Sequence, residues 1–293
     1  MTVDASMSFA DYHALDRLSA GRINALMESP AIYHARHVLP PTDPNYLGDD
    51  DTPATRRGSA HHALIMEGQE AYEQRFRVWR GGKTVKGLPT MSRNSKDYET
   101  FQQDCAADGV TEISVGDHEA AQNMAAAIWG HEDARALLHE GKGANEVTML
   151  FDLLGQPCKA RADRIITSAD VIVDLKSTMH STLADVKKAA GSQGYHRIAE
   201  WYRRAYLETH GRPLRDYLFV SVRAARPWLV WVWRFSAEAE AVASIEADYA
   251  LREIIGRTAT GDWLPDECRS IQTIELSPWQ VSPQARAEMD QRA

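Results

Sequence analysis

Residues 158–178 read CKARADRIITSADVIVDLKST. This stretch predicts two β-strands, at 158–167 and 171–178, which are separated by the turn signal TSAD. Another strand is predicted at 146–154, before the turn signal GQP. The centre of the chain therefore predicts three consecutive, neighbouring strands.

Two acids and a lysine fall on one face of the predicted hairpin. Alternate residues of a strand share a face, which places Asp174 and Lys176 together. A tight turn centred on residues 168 and 169 would set Asp163 directly opposite Asp174. Opposed residues have Cβ atoms roughly 4.5–5.5 Å apart, where two carboxylates destabilise the strand pair unless a cation compensates their charge.

A hard divalent cation would supply that compensation, because Mg²⁺ prefers oxygen ligands. Asp163 and Asp174 would provide carboxylates, and the backbone carbonyl of Leu175 could add a third oxygen. The cation would activate a water and polarise a phosphodiester, while Lys176 positions the nucleophile and offsets the developing charge. The expected products are a 5′-phosphate and a 3′-hydroxyl. Taken alone, the spacing D-x₁₀-D-x-K also fits a surface hairpin with ordinary salt bridges.

The remaining segments predict an α+β fold with a mixed central β-sheet. Helices are expected at 20–29, after Ser29-Pro30, at 60–68 with Ser59 as the cap, in two segments between 97 and 140, at 192–209 and at 237–258. A second strand pair is expected at 217–222 and 229–235. Loops are expected at 39–55 and, in a basic segment, at 81–97.

Composition and charge predict a cytoplasmic globular protein. The chain has 293 residues, of which 44% are hydrophobic and 25% charged, and its first residues include acids where a secretory signal would carry basic residues. No apolar run approaches the length of a membrane span, so no membrane insertion is expected. The net charge of −8 argues against a general nucleic-acid coat protein, but an enzyme with a local basic channel remains compatible with it. The three widely spaced cysteines, Cys105, Cys158 and Cys268, cannot supply the four ligands of an iron–sulfur cluster.

Several short motifs accompany the hairpin in a fixed order. They are DYHA (11–14), SPAIY (29–33), GSAHH (58–62), Glu146 before the hairpin, DLKST (174–178), GYH (194–196) with Tyr202 after it, and LSPW (276–279). In these motifs the chain resembles the PD-(D/E)xK superfamily and, within it, the RecE-like (exonuclease VIII type) exodeoxyribonucleases. The resemblance covers about residues 8 to 282. It implies one nuclease domain over 1–293, with an N-terminal helical part at about 1–140 and a catalytic core at about 141–293.

The resemblance implies a Mg²⁺-dependent enzyme, with Mn²⁺ as a substitute, that resects ends of double-stranded DNA in the 5′→3′ direction. It further implies a single-strand-annealing partner of the RecT type and a ring-like homo-oligomer. Two alternatives stay open. One is a DNA-end or structure-binding protein of nuclease fold with little turnover, and the other is an endonuclease on branched or damaged DNA.

The resemblance also adds residues to the metal site. His62 would be an extra ligand or orienting group, although a lone histidine on a helix is ordinarily a packed one and His61 is an alternative for the same role. Glu146 would bind a second metal ion or a water, and a solvated glutamate at a strand end explains it equally well.

Two positions depart from the family pattern. Ile198 stands where relatives carry a glutamine four residues before Tyr202, and it is expected to lie within one side-chain length of the catalytic hairpin. Gly21 replaces a serine that contacts phosphate in relatives, and Arg22 could substitute as a phosphate ligand or be a surface arginine.

Other contacts with DNA are assigned from charge and aromatic character. The basic loop could grip phosphates through Lys83, Lys86, Arg93 and Lys96, or could simply be a solvated loop. Tyr202 is expected to contact DNA. Four tryptophans could include a wedge that stacks on a terminal base, but at strand spacing most fit a core better; they are Trp228, Trp231, Trp233 and Trp279.

Overall fold

A six-stranded sheet forms the centre of the fold. The computed structural model describes residues 1–48, 53–84 and 86–292. In chain order its strands are β1 (Thr2–Asp4), β2 (Phe76–Trp79), β3 (Gly82–Lys83), β4 (Pro89–Thr90), β5 (Thr111–Ser114), β6 (Ala144–Leu153), β7 (Gln156–Ile166), β8 (Val171–Thr178), β9 (Asp216–Arg223) and β10 (Val230–Trp233).

Helices flank this sheet on both faces. They are α1 (Phe9–Ala14), α2 (Ala20–Glu28), α3 (Pro30–His37), α4 (Pro53–His62), α5 (Gln69–Arg75), α6 (Lys96–Ala107), α7 (Val115–Gly130), α8 (Glu132–His139), α9 (Leu183–Ser192), α10 (Tyr195–His210), α11 (Ala237–Thr260) and α12 (Pro283–Arg292). A π-helical turn, Ala63–Glu67, follows α4, and two short 3₁₀ helices lie at Asp266–Arg269 and Pro278–Gln280. Among the described residues, no helix combines the length and the apolar character that crossing a membrane would require.

The central sheet is mixed, as the sequence predicts. Its strand order is β1-β6-β7-β8-β9-β10, and every neighbouring pair is antiparallel except β8 and β9. Two parallel neighbours require a crossover, and α9 with α10 provides it here. The other described strands form two small separate sheets, β2 with β5 and β3 with β4.

The register of the central hairpin confirms the predicted turn. Arg164 pairs with Val173 and Ile165 with Ile172, so the next position along the register sets Asp163 beside Asp174. On the other side of β7, the pairs with β6 skip the position at which Glu146 would meet Asp163. Glu146 has a positive φ of 54° there, which is uncommon for a residue with a side chain. The regular ladder is therefore interrupted where the acids lie.

Two apolar layers hold the sheet. On one side α2, α10 and α11 contribute buried residues such as Ile23, Trp201 and Leu251. On the other side the π-helical turn, α7 and α8 contribute Met66, Met124 and Leu138, which pack with β8 and β9. Strands β8 and β9 are thus covered on both faces, which accounts for their long apolar runs.

The predicted elements differ from the observed ones in several places, and the short elements α1, α5, β2 and α12 are among those that were not predicted. Helix α4 begins at Pro53, so Ser59 lies inside a helix and is not its cap. Strand β1, helix α9 and the hairpin of β3 with β4 were not predicted, and residues 96–139 form three helices where two were expected. The short strands were missed because two or three residues show no measurable periodicity. Part of the predicted loop at 39–55, residues 49–52, lies outside the described residues.

The start of α10 depends on a glycine, which gives a test of the fold. Gly194 has φ +67°, and an added Cβ would lie 2.5 Å from the Asn24 side chain that accepts a hydrogen bond from Arg197. We expect Gly194→Ala to lower the free energy of unfolding by roughly 1–3 kcal/mol, measured by urea denaturation. The matched control is Gly191→Ala, because Gly191 lies in α9 with open space around it. That control should be neutral or stabilise by up to about 1 kcal/mol, and equal losses in both variants would contradict this account.

Candidate active site

His62, at the end of α4, lies between two carboxylates of the central sheet. Its Nε2 is 3.2 Å from Oδ2 of Asp163, and its Nδ1 is 3.4 Å from Oε1 of Glu146. Burial disfavours the charged imidazole, but Asp163 and Glu146 outweigh burial and raise the pKa of His62 to about 9. His62 is therefore an imidazolium at neutral pH, and it is the cation that faces both acids.

Asp163 is held by the neighbouring strand as well as by His62. Its Oδ2 accepts a hydrogen bond of 2.7 Å from the backbone N–H of Leu175 on β8. Burial opposes ionisation, but the charges of His62 and Lys176 and these hydrogen bonds lower the pKa of Asp163. Asp163 is consequently a carboxylate whose orientation is fixed on two sides.

Asp174 and Lys176 form a close ion pair on β8. Lys176 Nζ is 2.7 Å from Oδ2 of Asp174, and Asp174 is only 3% exposed. Burial, opposed by Lys176 and reinforced by the nearby Asp163, raises the pKa of Asp174 to about 6. Although burial opposes its charge, Asp174 and Asp163 raise the pKa of Lys176, which stays protonated. The pattern of one acid that is easily ionised and one that resists ionisation is typical of a crowded carboxylate pair.

Glu146 is anchored through one oxygen only. Arg161 Nε donates to Oε2 at 2.8 Å, and the same guanidinium bonds to the carbonyl of Met7 and the hydroxyl of Thr148. Oε1 is buried, accepts no hydrogen bond from the described residues and points toward His62. Burial raises the pKa of Glu146 despite His62. A buried carboxylate oxygen without a donor is a free ligand position for a cation.

The π-helical turn brings a further acid to the same place. Residues five apart in an α-helix lie about 140° apart around its axis, but the turn is closed by a bond from Gly68 N–H to the Ala63 carbonyl, five residues apart. His62 and Glu67 consequently share one face, and ligand atoms of His62, Glu67 and Glu146 lie within 4.8 Å of one another. Arg75 binds Glu67 at 2.5 Å.

These residues open onto a cavity of about 420 Å³. Its walls come from α1, α4, the central sheet and α10. The lining residues from the predicted site are His61, His62, Glu146, Asp163, Leu175, Lys176 and Tyr202. Asp174 does not line the cavity, because its carboxylate is turned into the protein against Lys176.

Two tyrosines of α10 line the cavity beside the hairpin. Lys176 Nζ lies 5.5 Å from the centre of the Tyr195 ring, a cation–π distance. Tyr202 donates its hydroxyl to the carbonyl of Arg161 at 2.7 Å. Ile198, which lies between them in sequence, is partly buried and is not among the described residues that line the cavity. Whether a glutamine there would reach the site stays a prediction.

A larger cavity of about 1080 Å³ adjoins the first. The two share a wall that includes Phe9, Tyr12 and Tyr202. The larger cavity has a basic lining, formed by Arg22, Arg36, Arg56, Arg75 and Lys159 with His13 and His37. No Asp or Glu occurs among the described residues that line it. Three of these cations are paired with acids that lie outside the lining: Arg22 with Asp16, Arg36 with Glu28 and Arg75 with Glu67. The lining nevertheless presents basic side chains beside the carboxylate cluster of a chain whose net charge is negative.

The structure brings together most of the predicted site residues. His62, Glu146, Asp163, Asp174, Leu175 and Lys176 form one cluster, and Arg22 lines the basic cavity while paired with Asp16. His61 is directed elsewhere: it is buried, its Nδ1 is 3.2 Å from the carbonyl of Arg57, and burial with the neighbouring His62 lowers its pKa to about 4. His62 is the histidine that faces the acids.

The predicted basic loop at 81–97, which contains the hairpin of β3 with β4, contributes no residue to the acid cluster. Lys83, Lys86, Arg93 and Lys96 are exposed, and none of them lines either cavity. Of the four tryptophans, Trp233 stacks on Phe219 at 4.2 Å and bonds to Ser221, whereas Trp279 is exposed. The structure places no tryptophan at the described wall of the site cavity.

Three residues at the site were missed by sequence analysis. Arg161 lies two residues before Asp163, so the period of a strand could have indicated it. Tyr195 occurs in the GYH motif, but the sequence analysis assigned it no role at the site. Glu67 carried no sequence signal, since an α-helical period would have turned it away from His62.

The donor set fits a hard divalent cation. It offers carboxylate oxygens from Glu146 and Glu67 with the imidazole of His62, which would have to release its proton to bind a cation, and one of those oxygens is a buried acceptor with no donor. The Asp163 carboxylate lies 3.2 Å from the same imidazole. Oxygen-rich sets of this kind suit Mg²⁺ or Mn²⁺.

The fold and this site define the class of the protein. An acid on one strand, followed by acid-x-Lys on the next strand of a mixed sheet, is the PD-(D/E)xK arrangement. Residues 21–276 match the family described as a PDDEXK-like domain of unknown function (DUF3799). The chain belongs to this family and so to the PD-(D/E)xK nuclease superfamily.

A solved structure shows the same fold. A crystal structure of a protein from Eubacterium rectale, provisionally named an exonuclease, superposes with a TM-score of 0.58 at 14% identity. The match covers 95% of this chain and 98% of that one. A second crystal structure, of SSO0001, has a TM-score of 0.27 at 14% identity over 53% of this chain and 68% of that one, which is too low to indicate a shared fold. No curated protein sequence matches the chain significantly.

The charge on His62 predicts how stability depends on pH without metal. Its pKa rises from 6.5 to about 9 on folding, so its contribution is complete below pH 6.5 and is lost as pH rises through 9. In EDTA, the free energy of unfolding should fall by up to roughly 3 kcal/mol between pH 6.5 and 9. His62→Gln should remove this slope, and the control His180→Gln, at an exposed position, should retain it. Urea denaturation at several pH values measures both, and a flat wild-type profile would contradict the assignment.

Proposed function

We propose that the chain is a divalent-metal-dependent exodeoxyribonuclease that digests one strand of linear double-stranded DNA from its end. One observation carries the proposal: the cluster of Asp163, Asp174 and Lys176 adjoins an acid-free basic cavity. The cluster has the residue types for phosphodiester hydrolysis, and the basic cavity offers a path for a phosphate backbone. Mg²⁺ is the expected metal, with Mn²⁺ able to substitute.

The acids would hold the metal and the cations would control charge around it. Asp163, Asp174, Glu146 and His62 are the candidate ligands, with the carbonyl of Leu175 as a possible further one. A bound divalent cation supplies Lewis-acid activation of a water and of the scissile phosphate. Asp174 would have to turn from Lys176 toward the cavity to serve as a ligand, because in the described structure its carboxylate faces inward.

Lys176 is placed to stabilise the developing charge. It lines the cavity, stays protonated and lies against the Tyr195 ring. When Asp174 turns away, the ammonium group becomes free to donate to the attacking water or to a phosphate oxygen. One side chain would thus compensate charge before the metal binds and assist the reaction afterwards.

Arg161 and Tyr202 would position the acids, and Tyr202, which lines both cavities, would also contact DNA. Arg161 fixes one oxygen of Glu146 and leaves the other free. Tyr202, bound to the carbonyl of Arg161, holds β7 against α10. This rigid support matters because a displacement of the catalytic groups by about an ångström strongly lowers the reaction rate.

The finer properties rest on the resemblance to RecE-like enzymes. They are 5′→3′ polarity, delivery of the single-stranded tail to an annealing protein of the RecT type, a ring-like homo-oligomer and a place in DNA recombination. The larger basic cavity is compatible with either polarity, since a strand can enter it from either end.

A substrate comparison tests the proposal. With Mg²⁺, the protein should digest linear duplex DNA with a free end and leave covalently closed circular DNA intact. Substrates labelled at the 5′ or the 3′ end then report polarity, and release of 5′-labelled mononucleotides first is expected. Cutting of closed circles would instead show an endonuclease, and binding without cutting of either substrate would show a DNA-end-binding protein.

Loss of a candidate ligand gives the second test. Asp174→Ala should reduce cleavage by about a thousandfold or more, because it removes a carboxylate that the metal requires. Binding of linear duplex in Ca²⁺ should remain within a few-fold, since the substitution also relieves like-charge repulsion. The matched control is Asp152→Ala, an exposed acid on strand β6 of the same sheet, which should cleave normally. Cleavage by the Asp174 variant at the wild-type rate would remove this residue from the reaction.

A further inference from the structure

The outer face of α11 carries an apolar stripe that the described chain does not cover. Val242, Ile245 and Tyr249 lie at i, i+3 and i+7 and share one side of the helix. They are 46% to 71% exposed, whereas the opposite side of α11 is buried through Ala250 and Leu251. A helix needs only one apolar side to pack on its own sheet, so a second one indicates another contact.

A second exposed apolar segment lies at the end of the chain. Residues 270–280, here called the C-terminal arm, contain Ile271, Ile274, Leu276 and Trp279, which are 65% to 100% exposed. Within the described chain, the arm's hydrogen bonds reach no farther back than Glu267, through Gln272. The arm includes the LSPW motif, and no residue of this motif is among those described at the candidate active site.

The two surfaces also match in charge. Arg252 lies one turn beyond Tyr249 on the stripe, and Glu275 lies between Ile274 and Leu276 on the arm. Neither has an ion-pair partner among the residues that the structure describes. An arginine at the end of an apolar stripe and a glutamate within an apolar arm would pair if the arm lay along the helix.

The base of the arm lies on the side of α11 away from the stripe. After α11, Trp263 is buried and stacks on Tyr33 of α3 at 5.1 Å, on the side of α11 that faces the core. Arg269 then binds Asp262 and the Leu264 carbonyl, which holds the base of the arm near the end of α11. The stripe is exposed on the opposite side of the helix, so the arm of a second copy can lie along it without crossing over α11.

We propose that the C-terminal arm of one copy of this chain docks on the α11 stripe of a second copy. The arm and the stripe are different surfaces, so a single contact between them is not self-complementary. Two copies can exchange arms about a twofold axis, or a larger number can close a ring. Bulky apolar side chains of the arm would supply the binding energy, and the pairing of Arg252 with Glu275 would fix its register.

Substitutions in the arm and in the stripe test this docking, because they change the mass of the oligomer in solution. The full chain should be an oligomer in light scattering after size exclusion, and Ile245→Glu should raise its dissociation constant about tenfold or more. Arg252→Glu and Glu275→Arg should each raise it about fivefold, and the two together should restore it. Leu207→Glu, at an exposed apolar position on α10, is the matched control and should leave the mass unchanged. A monomeric wild-type chain, or charge reversals that do not compensate each other, would overturn the proposal.

Cross-linking separates docking between copies from docking within one copy. In a Cys268→Ser background the remaining cysteines, Cys105 and Cys158, are buried. Ile245→Cys and Ile274→Cys variants are then mixed and treated with a short bis-maleimide. Cross-linked species of twice the chain mass that contain one copy of each variant support the proposal. An internal cross-link at the monomer mass in the doubly substituted chain, without the mixed species, overturns it. Neither readout uses nuclease activity, so an inactive but oligomeric protein would count against the proposed function alone.

Discussion

The structure depends on the pairing of each buried acid of the site with its own cation. Asp163 faces His62, Asp174 faces Lys176 and Glu146 faces Arg161. A buried carboxylate without a partner costs several kcal/mol, so these acids could not lie together in a folded protein without the three bases. The bases come from a helix and two strands, and the pairing therefore fixes how α4, β7 and β8 meet.

The same pairing of acids with cations explains why the regular ladder between β6 and β7 is interrupted at Glu146. The ladder between β6 and β7 is broken at Glu146 and Asp163, and the Asp163 carboxylate takes a backbone N–H of Leu175. The Asp163 carboxylate thus accepts a hydrogen bond that a backbone carbonyl of a neighbouring strand would otherwise accept. The backbone N–H of Leu175 stays hydrogen-bonded while the acids reach the cavity. Local irregularity is tolerated because β8 and β9 are packed on both faces.

The sequence predicted those parts of the site that local geometry controls. The hairpin register followed from a short turn and from the period of two along a strand, and both hold at Asp163 and Asp174. His62 could be proposed only from the resemblance, because its partner Asp163 lies about a hundred residues away and no local rule brings them together. The inward orientation of Asp174 had no sequence signal, since it depends on which cation is nearest in the folded chain. Lys83 and Lys86 stand out in sequence but line neither cavity, and their contact with DNA stays a prediction, whereas the arginines of the basic cavity are dispersed over the first 80 residues.

The π-helical turn has a consequence for the comparison of relatives. It inserts one residue into the helical repeat, so the positions before it and after it obey different phases of the same helix. His62 and Glu67 face the cavity while Ile65 and Met66 face the core, a division that a regular α-helix would not give. A relative that lacks one residue between Ala63 and Met66 would have a regular α-helix whose glutamate follows the histidine by four residues, about 40° away around the axis and so still on the same face. An alignment gap at this turn is therefore compatible with a retained third acid, whereas a chain that keeps the five-residue spacing in a regular α-helix would turn its glutamate away by about 140°.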